Sequence, residues 1–548
     1  MGASSAKSRL DEVQKRTEGR VGKIQVTGRY HRNPKRLEDD YEVSTKVLGA
    51  GYNGQVFLAK NKETGEAVAV KGFKLNGISK QKKDELESEC EIFLAMDHPH
   101  VARLVDVYES DSELSLVMEC MSGGELFKRV VEKKVFSERD AADAAWQMLL
   151  AVNYIHSHGI VHRDIKLENF LYEKQGSNHL KLIDFGFSKI TSDKSLKMVP
   201  SRSALSCGTL AYVAPEVLAH AYTSQCDMWS LGVTIFITLF GYMPFSGSEE
   251  KQVSDIKHGR YSYKKDVWKR VSKRGQDFVK ALLIVNPNHR LTPDQALAHP
   301  WISERENMKP EMLDQGIVDA LCAFGQASAF RRACMSMMAW SLTVEERAKV
   351  SDAFIEMDTS KTGTITLSEF KEVLEKKFHL EDEHIKEVFK SLDVNQTDEI
   401  HYSEFLAAMV STRLALHDNL LRQTFKRFDV DNSGYITADN LRVVLGETFE
   451  GQEVEKIMLE ADLKHDGRIS YDEWIDYLKN GNIATENHQD VAARVIDRQL
   501  KNGEQQTVGV LGMRLRISHS GKSVLQKLSP AKPKDSGQAK ARCACTTM

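Results

Sequence analysis

Hydrophobic and polar positions along this 548-residue chain change their spacing several times, and each change predicts a different structure. Residues 1–40 show no apolar periodicity and predict a flexible N-terminal arm. From Tyr41 to about Tyr108, short β-branched runs broken by Gly and Asn turns predict strands, with one helix from about Lys80 to Met96. From Gly124 to Trp301 the spacing is mostly helical. The pattern therefore predicts a strand-containing region followed by a helical one.

The rest of the chain contains a junction, a repeat and a polar tail. Residues 302–340 form the junction and end in a Met-rich basic segment. Residues 341–480 repeat with a period of about 35 residues. Each repeat has a polar loop between two helical patterns, and the loops begin at Asp358, Asp393, Asp429 and Asp462. Residues 481–548 are rich in Lys, Ser and Gln and predict a basic C-terminal tail.

Composition and charge narrow the classes of protein. Apolar residues make up 41% and charged residues 28%, which excludes a collagen-like, wholly disordered or membrane-embedded chain. The longest apolar run, Met228 to Met243, is interrupted by polar residues and predicts a buried helix. Eight cysteines without a repeated paired spacing favour a reducing compartment, so a cytoplasmic location is expected.

Charge differs strongly between two regions. Residues 341–480 carry 17 Lys and Arg against 30 Asp and Glu, whereas residues 481–548 carry 11 against 5. This split predicts a cation-binding module followed by a tail attracted to a polyanion or membrane surface. Solvated charged helices and a loose tail are the simpler explanation. No nucleic-acid partner is expected.

A glycine-rich loop with the spacing G-x-G-x-x-G-x-V joins two predicted strands. Its glycines let backbone N–H groups approach phosphate oxygens closely, although an ordinary hairpin can also contain three spaced glycines. Lys71 ends the next strand where it can reach the phosphates, and Glu89 on the following helix can pair with it. The candidate nucleotide-binding residues of the loop are Leu48, Gly49, Ala50, Gly51, Tyr52, Asn53, Gly54, Gln55 and Val56.

The segment His-Arg-Asp-Ile-Lys-Leu-Glu-Asn carries three candidate catalytic side chains. Asp164 can accept the proton of an attacking hydroxyl, Lys166 can neutralise charge on a transferred phosphoryl group, and Asn169 offers an oxygen to a metal. Asp184, in Asp-Phe-Gly, supplies a second metal ligand, and an Ala-Pro-Glu sequence ending at Glu216 follows. Phosphoryl transfer requires positioning and charge neutralisation, and these residue types supply both.

The four repeated loops fit the spacing of calcium ligands. Such a loop places oxygens at positions 1, 3, 5, 7, 9 and 12, and position 6 must tolerate positive φ. The first two loops, 358–369 and 393–404, supply Asp358, Ser360, Thr362, Thr364, Glu369, Asp393, Asn395, Thr397, Glu399 and Glu404. The other two, 429–440 and 462–473, supply Asp429, Asp431, Ser433, Tyr435, Asp462, Asp466, Arg468 and Glu473.

The four loops differ in quality. Asp398 replaces the glycine of the second loop at a modest conformational cost, and His401 would act there through water. Asn440 removes the bidentate carboxylate of the third loop, and Lys464 puts a positive charge at a ligand position of the fourth. We therefore expect calcium in loops one and two and weakened binding in loops three and four. An isoleucine at position 8 of each loop predicts short strands that pair the loops, at Ile365, Ile400, Ile436 and Ile469.

With these motifs, residues 41–301 resemble a eukaryotic protein kinase domain, and the whole chain resembles the calcium-dependent protein kinases of plants and alveolates. The resemblance implies an α+β bilobal protein kinase domain followed by an all-α tandem EF-hand domain with two lobes. It implies ATP, Mg²⁺ and Ca²⁺ as cofactors, Asp164 as the base, and Asn169 and Asp184 as magnesium ligands. It places Met118 at the gate behind adenine, Glu119 and Met121 at the hinge, and pairs Arg290 with Glu216. Asn286 departs from the aspartate usual in the family.

Substrate choice follows from two acidic positions. Glu125 and Glu168 match positions that bind arginines before the phosphorylated residue in basophilic kinases, so protein substrates with basic residues before Ser or Thr are expected. Two solvated acids are the alternative explanation. Lys166 favours Ser/Thr over Tyr. Activation-loop phosphorylation stays open, with candidates Ser201, Ser203, Ser206 and Thr209.

The resemblance implies a junction helix that inhibits the kinase until calcium-loaded EF-hands bind and remove it. A basic amphipathic segment in the junction suits the Met-lined groove of calcium-loaded EF-hands. Its apolar anchors are Phe324, Phe330, Met335, Met337, Met338 and Trp340. The sequence Arg331-Arg332-Ala333-Cys334 lacks only a serine to read as a substrate, so it suggests a pseudosubstrate. A plain helix packed on the large lobe is the alternative.

The chain ends suggest membrane association. Gly2 suggests myristoylation, Cys545 in a C-a-a-X-like ending suggests prenylation, and Cys543 could carry a palmitoyl chain. A tail with exposed thiols is the alternative. Two other functions also stay open: an active kinase with structural EF-hands, and a catalytically silent calcium-responsive scaffold.

Overall fold

The computed structural model describes residues 9–51, 54–133, 136–190, 196–197, 210–219, 221–305, 313–410 and 418–480. These residues form a small lobe, a large lobe, a junction and an EF-hand module, preceded by an N-terminal segment. In the ranges given, no helix is long and apolar enough to span a bilayer.

The N-terminal segment differs from the expected flexible arm. Residues 9–40 form α1 (Arg9–Val21), α2 (Lys23–Thr27), β1 (Tyr30–Arg32) and α3 (Leu37–Asp40). Arg29 explains part of this order, because its fully buried guanidinium donates to the carbonyls of Gln25, Leu94 and Leu104. Leu94 and Leu104 lie 65 and 75 residues from Arg29 in sequence, so no local pattern reveals these contacts.

The small lobe is a twisted sheet with one helix. Its elements are β2 (Tyr41–Gly51), β3 (Gly54–Asn61), β4 (Ala67–Lys74), α4 (Lys80–Ala95), β5 (Leu104–Glu109) and β6 (Glu113–Glu119). The six-stranded sheet has the order β1-β5-β6-β4-β3-β2, in which β1 joins the edge parallel to β5. Ser79 caps α4 by accepting from the backbone N–H of Lys82, which fixes the start of the predicted helix.

The large lobe is mainly helical and surrounds α8. Its first elements are α5 (Leu126–Lys133), α6 (Glu138–Ser157), β7 (Ile160–Val161), β8 (Phe170–Tyr172), β9 (Leu180–Leu182), β10 (Lys189–Ile190) and β11 (Leu196–Lys197). The others are α7 (Pro215–Leu218), β12 (Ala221–Tyr222), α8 (Gln225–Phe240), α9 (Glu249–Lys257), α10 (Lys265–Trp268), α11 (Lys273–Leu282), α12 (Pro293–Leu297) and α13 (Pro300–Ser303). Helix α8 is buried along nearly its whole length, as the apolar run predicts, and it ends at Gly241 in the left-handed conformation.

The junction contributes α14 (Gln315–Gln326) and α15 (Ala329–Ser341). The EF-hand module follows with α16 (Val344–Ala348), α17 (Ser351–Met357), β13 (Ile365–Thr366), α18 (Leu367–Phe378), α19 (Asp382–Leu392), β14 (Glu399–Ile400) and α20 (Tyr402–Val410). Its second lobe has α21 (Asp418–Phe428), β15 (Tyr435–Thr437), α22 (Ala438–Leu445), β16 (Thr448–Phe449), β17 (Gln452–Glu453), α23 (Val454–Leu459), β18 (Arg468–Ser470) and α24 (Tyr471–Asn480). The predicted isoleucine pairs are present, with Ile365 opposite Ile400 and Ile436 opposite Ile469.

Helix α15 lies in the core of the EF-hand module. It packs on α20 and α21, and most of its side chains are buried, including Phe330, Met337 and Met338. The module in turn packs on the two lobes and on the N-terminal segment. We call this the docked arrangement.

Candidate functional site

Lys71, Glu89 and Asp184 meet in the cleft between the two lobes. The Lys71 ammonium lies 2.5 Å from Glu89 Oε1 on α4 and 3.3 Å from Asp184 Oδ1, so the predicted Lys71–Glu89 pair is present. Burial favours the neutral amine, but Glu89 and Asp184 outweigh it and raise the pKa of Lys71 above its ordinary value. Burial also opposes ionisation of Asp184, yet Lys71 holds the pKa of Asp184 below its ordinary value. Lys71 therefore keeps a positive charge that can face phosphate.

A column of aromatic rings keeps α4 in this position. Phe185 is fully buried, 5.1 Å from the ring of Phe93 on α4 and 5.1 Å from the ring of His162. Both contacts are edge-to-face, the geometry that aromatic pairs prefer. The column therefore connects α4 to the catalytic segment through Asp-Phe-Gly.

The predicted catalytic side chains converge beside this column. Lys166 Nζ lies 2.7 Å from Asp164 Oδ2, and the Asn169 amide donates to the same oxygen at 3.0 Å and to the Asp164 carbonyl at 2.7 Å. Because the amide nitrogen of Asn169 is used in this way, its oxygen is left to face a cation. Asp184 provides a carboxylate, so the donor set fits the oxygen ligands that Mg²⁺ requires.

Asp227 is a functional residue that the sequence reasoning missed. This fully buried carboxylate on α8 accepts from the backbone N–H groups of His162 and Arg163, each at 2.8 Å, and from His156 at 2.9 Å. Arg163 has a φ of 67°, so its backbone needs such support. The available signal was a lone aspartate at the start of the longest apolar run.

The predicted nucleotide-binding loop joins β2 and β3. Strands β2 and β3 are antiparallel, with Gly51 opposite Gly54 at the end of the ladder, and Tyr52 and Asn53 lie outside the described residues. On the next strand, Lys71 lies opposite Val56 and Ala69 lies opposite Met118. The sheet therefore brings the loop, Lys71 and the predicted gate residue to one cleft.

Glu119, a predicted hinge residue, lies on the side where the EF-hand module packs. Its carboxylate lies 2.8 Å from Lys181 Nζ and 2.6 Å from Arg347 Nη2 on α16. Burial disfavours the charge, but these two cations hold the pKa of Glu119 at about 2. The hinge is thus bonded directly to the start of the EF-hand module.

The two predicted substrate acids differ in their surroundings. Glu125 lies 3.1 Å from the exposed Lys128, an ion pair that competes only weakly in water. Glu168 Oε2 is buried and accepts no hydrogen bond from the described residues, so among them it lacks the donor that a buried carboxylate oxygen requires. Behind them, the predicted Arg290–Glu216 pair is present and bidentate, with distances of 2.7 and 3.0 Å.

The calcium loops share one backbone conformation. Positions 4 and 6 of every loop have positive φ, at Lys361, Gly363, Gln396, Asp398, Asn432, Gly434, His465 and Gly467. Asp398 has a φ of 62°, so aspartate adopts the conformation of the missing glycine. At position 12 of the first, second and fourth loops, the glutamate accepts from the backbone N–H groups of positions 3 and 9.

Loops one and two contain deeply buried carboxylates. Burial raises the pKa of Asp358 to about 6 and raises the pKa of Glu404 well above its ordinary range. A cation would favour ionisation of both groups, so these loops fit Ca²⁺. The first loop also contacts the large lobe, because Asn153 and Ser157 donate to the carbonyls of Lys361 and Thr362.

Loops three and four fit Ca²⁺ less well. Lys464 Nζ lies 3.5 Å from Glu473 Oε2, so the fourth loop contains its own counter-ion. Burial opposes ionisation of Glu473, but Ser470 and Lys464 lower its pKa to about 2. In the third loop, Asn440 Oδ1 accepts from the Thr437 N–H and supplies no charge. Across the described ranges, no group of three His, Cys, Asp or Glu side chains forms a metal cluster.

The pseudosubstrate-like segment lies inside the EF-hand module. Cys334 is fully buried and accepts from Trp474 Nε1 at 3.3 Å, while Arg332 pairs with Glu450. Arg331 is 3% exposed, and its Nε and Nη1 atoms make no hydrogen bond within the part of the chain that the structure describes. The docked arrangement therefore matches neither a pseudosubstrate in the cleft nor a helix packed only on the large lobe.

Some predicted sites lie outside the described residues. They are Ser201, Ser203, Ser206 and Thr209 in the activation loop, Gly2, Cys543 and Cys545 at the chain ends, and the basic tail.

Comparison with known proteins identifies both parts of the chain. Residues 41–302 match the protein kinase domain, and residues 347–410 and 418–479 match the EF-hand domain pair. Calcium-dependent protein kinase 17 of Arabidopsis thaliana is 34% identical over 445 residues, 80% of this chain and 83% of its own length. Calcium-dependent protein kinase 5 of Plasmodium falciparum is 32% identical over 457 residues, 81% and 78% of the two chains. The chain therefore belongs to the calcium-dependent protein kinases, as a calcium-regulated serine/threonine kinase that uses ATP and Mg²⁺ and binds Ca²⁺ through EF-hands.

Proposed function

We propose that the cleft transfers the γ-phosphate of ATP to Ser or Thr in basic sequence contexts, and that the junction inhibits this reaction until Ca²⁺ binds loops one and two. The observation that carries the chemistry is the convergence of Lys71, Glu89, Asp164 and Asp184 in one cleft. A scaffold without activity would need none of these contacts.

Each residue has one role in the transfer. Asp164 accepts the proton of the attacking hydroxyl, because its carboxylate is fixed by Lys166 and Asn169. Lys166, beside that carboxylate, neutralises charge on the phosphoryl group as it moves. Lys71, fixed by Glu89, orients the ATP phosphates. Asn169 and Asp184 would hold Mg²⁺, which supplies charge neutralisation at the phosphate oxygens.

Substrate selection rests on Glu168. A buried carboxylate oxygen without a donor gains most from a guanidinium, which donates in a planar fork. A peptide with Arg two or three residues before Ser would supply it, and Glu125 would assist from the rim. Glu168→Gln should raise KM for an Arg-containing peptide about tenfold, but not KM for its Arg→Ala analogue. Equal effects on both peptides would exclude this recognition.

The junction contains a guanidinium, that of Arg331, which could pair with the Glu168 carboxylate. Arg331 is buried in the docked arrangement, and two of its nitrogens have no partner among the described residues, which is costly for a cation. In the inhibited state, Arg331 would pair with Glu168, and Cys334 would occupy the position of the phosphorylated residue. Calcium-loaded EF-hands would then move α15 from the cleft into their own core.

Peptide phosphorylation against free calcium tests the regulation, from about nanomolar to millimolar, the range over which EF-hands are tuned. We expect low activity with chelator and full activity with Ca²⁺. Equal activity in both would leave the EF-hands structural. Cys334→Ser should become phosphorylated if the segment enters the cleft, whereas no phosphate at position 334 after activation would reject the pseudosubstrate.

A further inference from the structure

The N-terminal segment contacts α4 through an ion-pair cluster in which the Glu91 carboxylate is largely buried and the two arginines are about half exposed. Helix α1 packs on α4, and its Thr17 side chain is fully buried. Arg16 donates to Glu91 Oε2 through Nε at 3.2 Å and Nη2 at 2.8 Å, and Arg20 Nη1 lies 3.5 Å from Glu91 Oε1. The Glu91 side chain is 8% exposed, so two arginines neutralise a largely buried carboxylate.

Glu91 and Glu89 lie on opposite faces of α4. Two residues correspond to a rotation of about 200° in an α-helix, because each residue turns it by about 100°. The face bearing Glu89 pairs with Lys71 in the cleft, while the face bearing Glu91 pairs with α1. Helix α4 therefore contacts Lys71 on one face and α1 on the opposite face.

The same segment then contacts the second calcium loop. Gly22 has a φ of 86°, and a Cβ atom there would lie 2.0 Å from Oδ1 of Asn395, the predicted ligand at position 3. Gln25 on α2 accepts from the hydroxyl of Ser403, at position 11 of that loop, at 3.0 Å. The backbone after α1 therefore fits this loop closely.

We propose that residues 9–28, the N-terminal strap, position Glu89 by connecting the second calcium loop to α4. In the docked arrangement, Gly22 and α2 contact the second calcium loop, and α1 contacts Glu91 on α4. This route to the cleft runs through Gly22 and α1, beside the contact that α2 makes with α15 in the junction. Arg16 and Arg20 are positioning residues, since they act through Glu91 and Glu89.

A mutant cycle in the full-length protein, in which the charged side chains are replaced by neutral ones and kcat is measured, tests the contact between α1 and α4. Arg16→Gln combined with Arg20→Gln should lower kcat at saturating Ca²⁺ about fivefold, and so should Glu91→Gln. The triple variant should fall no further, and KM for the peptide should stay constant. Arg32→Gln, which breaks a comparably exposed pair between the N-terminal segment and Glu109 on β5, is the control and should leave kcat unchanged. Independent losses that multiply in the triple variant would overturn the proposal.

Hydrogen exchange separates positioning from general stability. In the unaltered protein, Ca²⁺ should slow exchange at the α4 amides, and this slowing should be lost in the double arginine variant while the large lobe stays protected. If Ca²⁺ slows exchange at the α4 amides as much in the double arginine variant as in the unaltered protein, the proposal is overturned.

Calorimetry with Ca²⁺ alone tests the other end of the strap. Gly22→Ala should weaken one calcium site about fivefold, because the added Cβ displaces Asn395 and strains the backbone. Gly19→Ala, with nothing within 4 Å, controls for the helix, and Gly65→Ala, with a φ of 71° and open surroundings, controls for backbone strain. Neither control should change calcium affinity. Unchanged affinity in Gly22→Ala, or equal weakening in Gly65→Ala, would overturn the connection to this loop.

Discussion

Replacing Arg347 with methionine removes the cation by which the EF-hand module bonds to the hinge. Methionine keeps the length and apolar packing of the side chain but not the charge. Glu119 would then keep Lys181 at 2.8 Å and lose Arg347 at 2.6 Å. The substitution therefore weakens the docked arrangement without leaving the hinge carboxylate unpaired.

The magnitude follows from the pKa of Glu119. The two cations hold it at about 2, against an ordinary value of 4.5, although burial opposes ionisation. At about 1.4 kcal/mol per pKa unit, this corresponds to about 3 kcal/mol shared by two partners. The pKa is depressed, so the contribution is complete above pH 4.5 and is lost as pH falls toward 2. At neutral pH, losing Arg347 should therefore destabilise the docked arrangement by about 1.5 kcal/mol. This corresponds to a docking equilibrium constant that is about tenfold lower.

Peptide phosphorylation against free Ca²⁺ measures this loss. If two ions drive docking, a tenfold weaker equilibrium should raise the calcium midpoint about threefold. Lys174→Met is the matched control, because it breaks an exposed 3.5 Å pair with Glu345 at the same interface. An exposed pair of this kind contributes about 0–1 kcal/mol, so the calcium midpoint of Lys174→Met should move little. An unchanged midpoint for Arg347→Met, or an equal shift in the control, would refute the role of the hinge contact.

Three further predictions concern the cleft, the fourth calcium loop and the large lobe. Asp164→Asn should lower kcat about a thousandfold and leave KM for ATP unchanged, because the amide cannot accept the proton; substantial residual kcat would argue against a base at this position. Lys464→Asp should add one bound Ca²⁺ in calorimetric titration, since it frees Glu473 from its ammonium; unchanged stoichiometry would show that another defect limits the loop. Arg290→Met should lower the free energy of unfolding by about 3–5 kcal/mol in denaturant titration, because Glu216 stays buried without its guanidinium; a loss below about 1 kcal/mol would contradict this.

Sequence alone predicted the parts of the molecule whose chemistry is local. Each calcium loop places its ligands within twelve consecutive residues, so spacing predicted the left-handed Asp398 and the paired isoleucines. The Lys71–Glu89 pair was predicted from the strand and helix that carry these residues, and the Arg290–Glu216 pair through the resemblance to a known family, whose motifs carry long-range information that spacing does not contain.

Only the tertiary structure revealed groups whose partners are distant in sequence. Residues 9–40 have no apolar period, yet they fold because Arg29 reaches carbonyls on other elements and Arg16 reaches Glu91. In the sequence, Asp227 is one polar residue beside an apolar run. In the structure, its carboxylate accepts from the backbone N–H groups of His162 and Arg163. Local spacing determines which groups a segment offers, whereas packing determines which of them are buried and must therefore be paired.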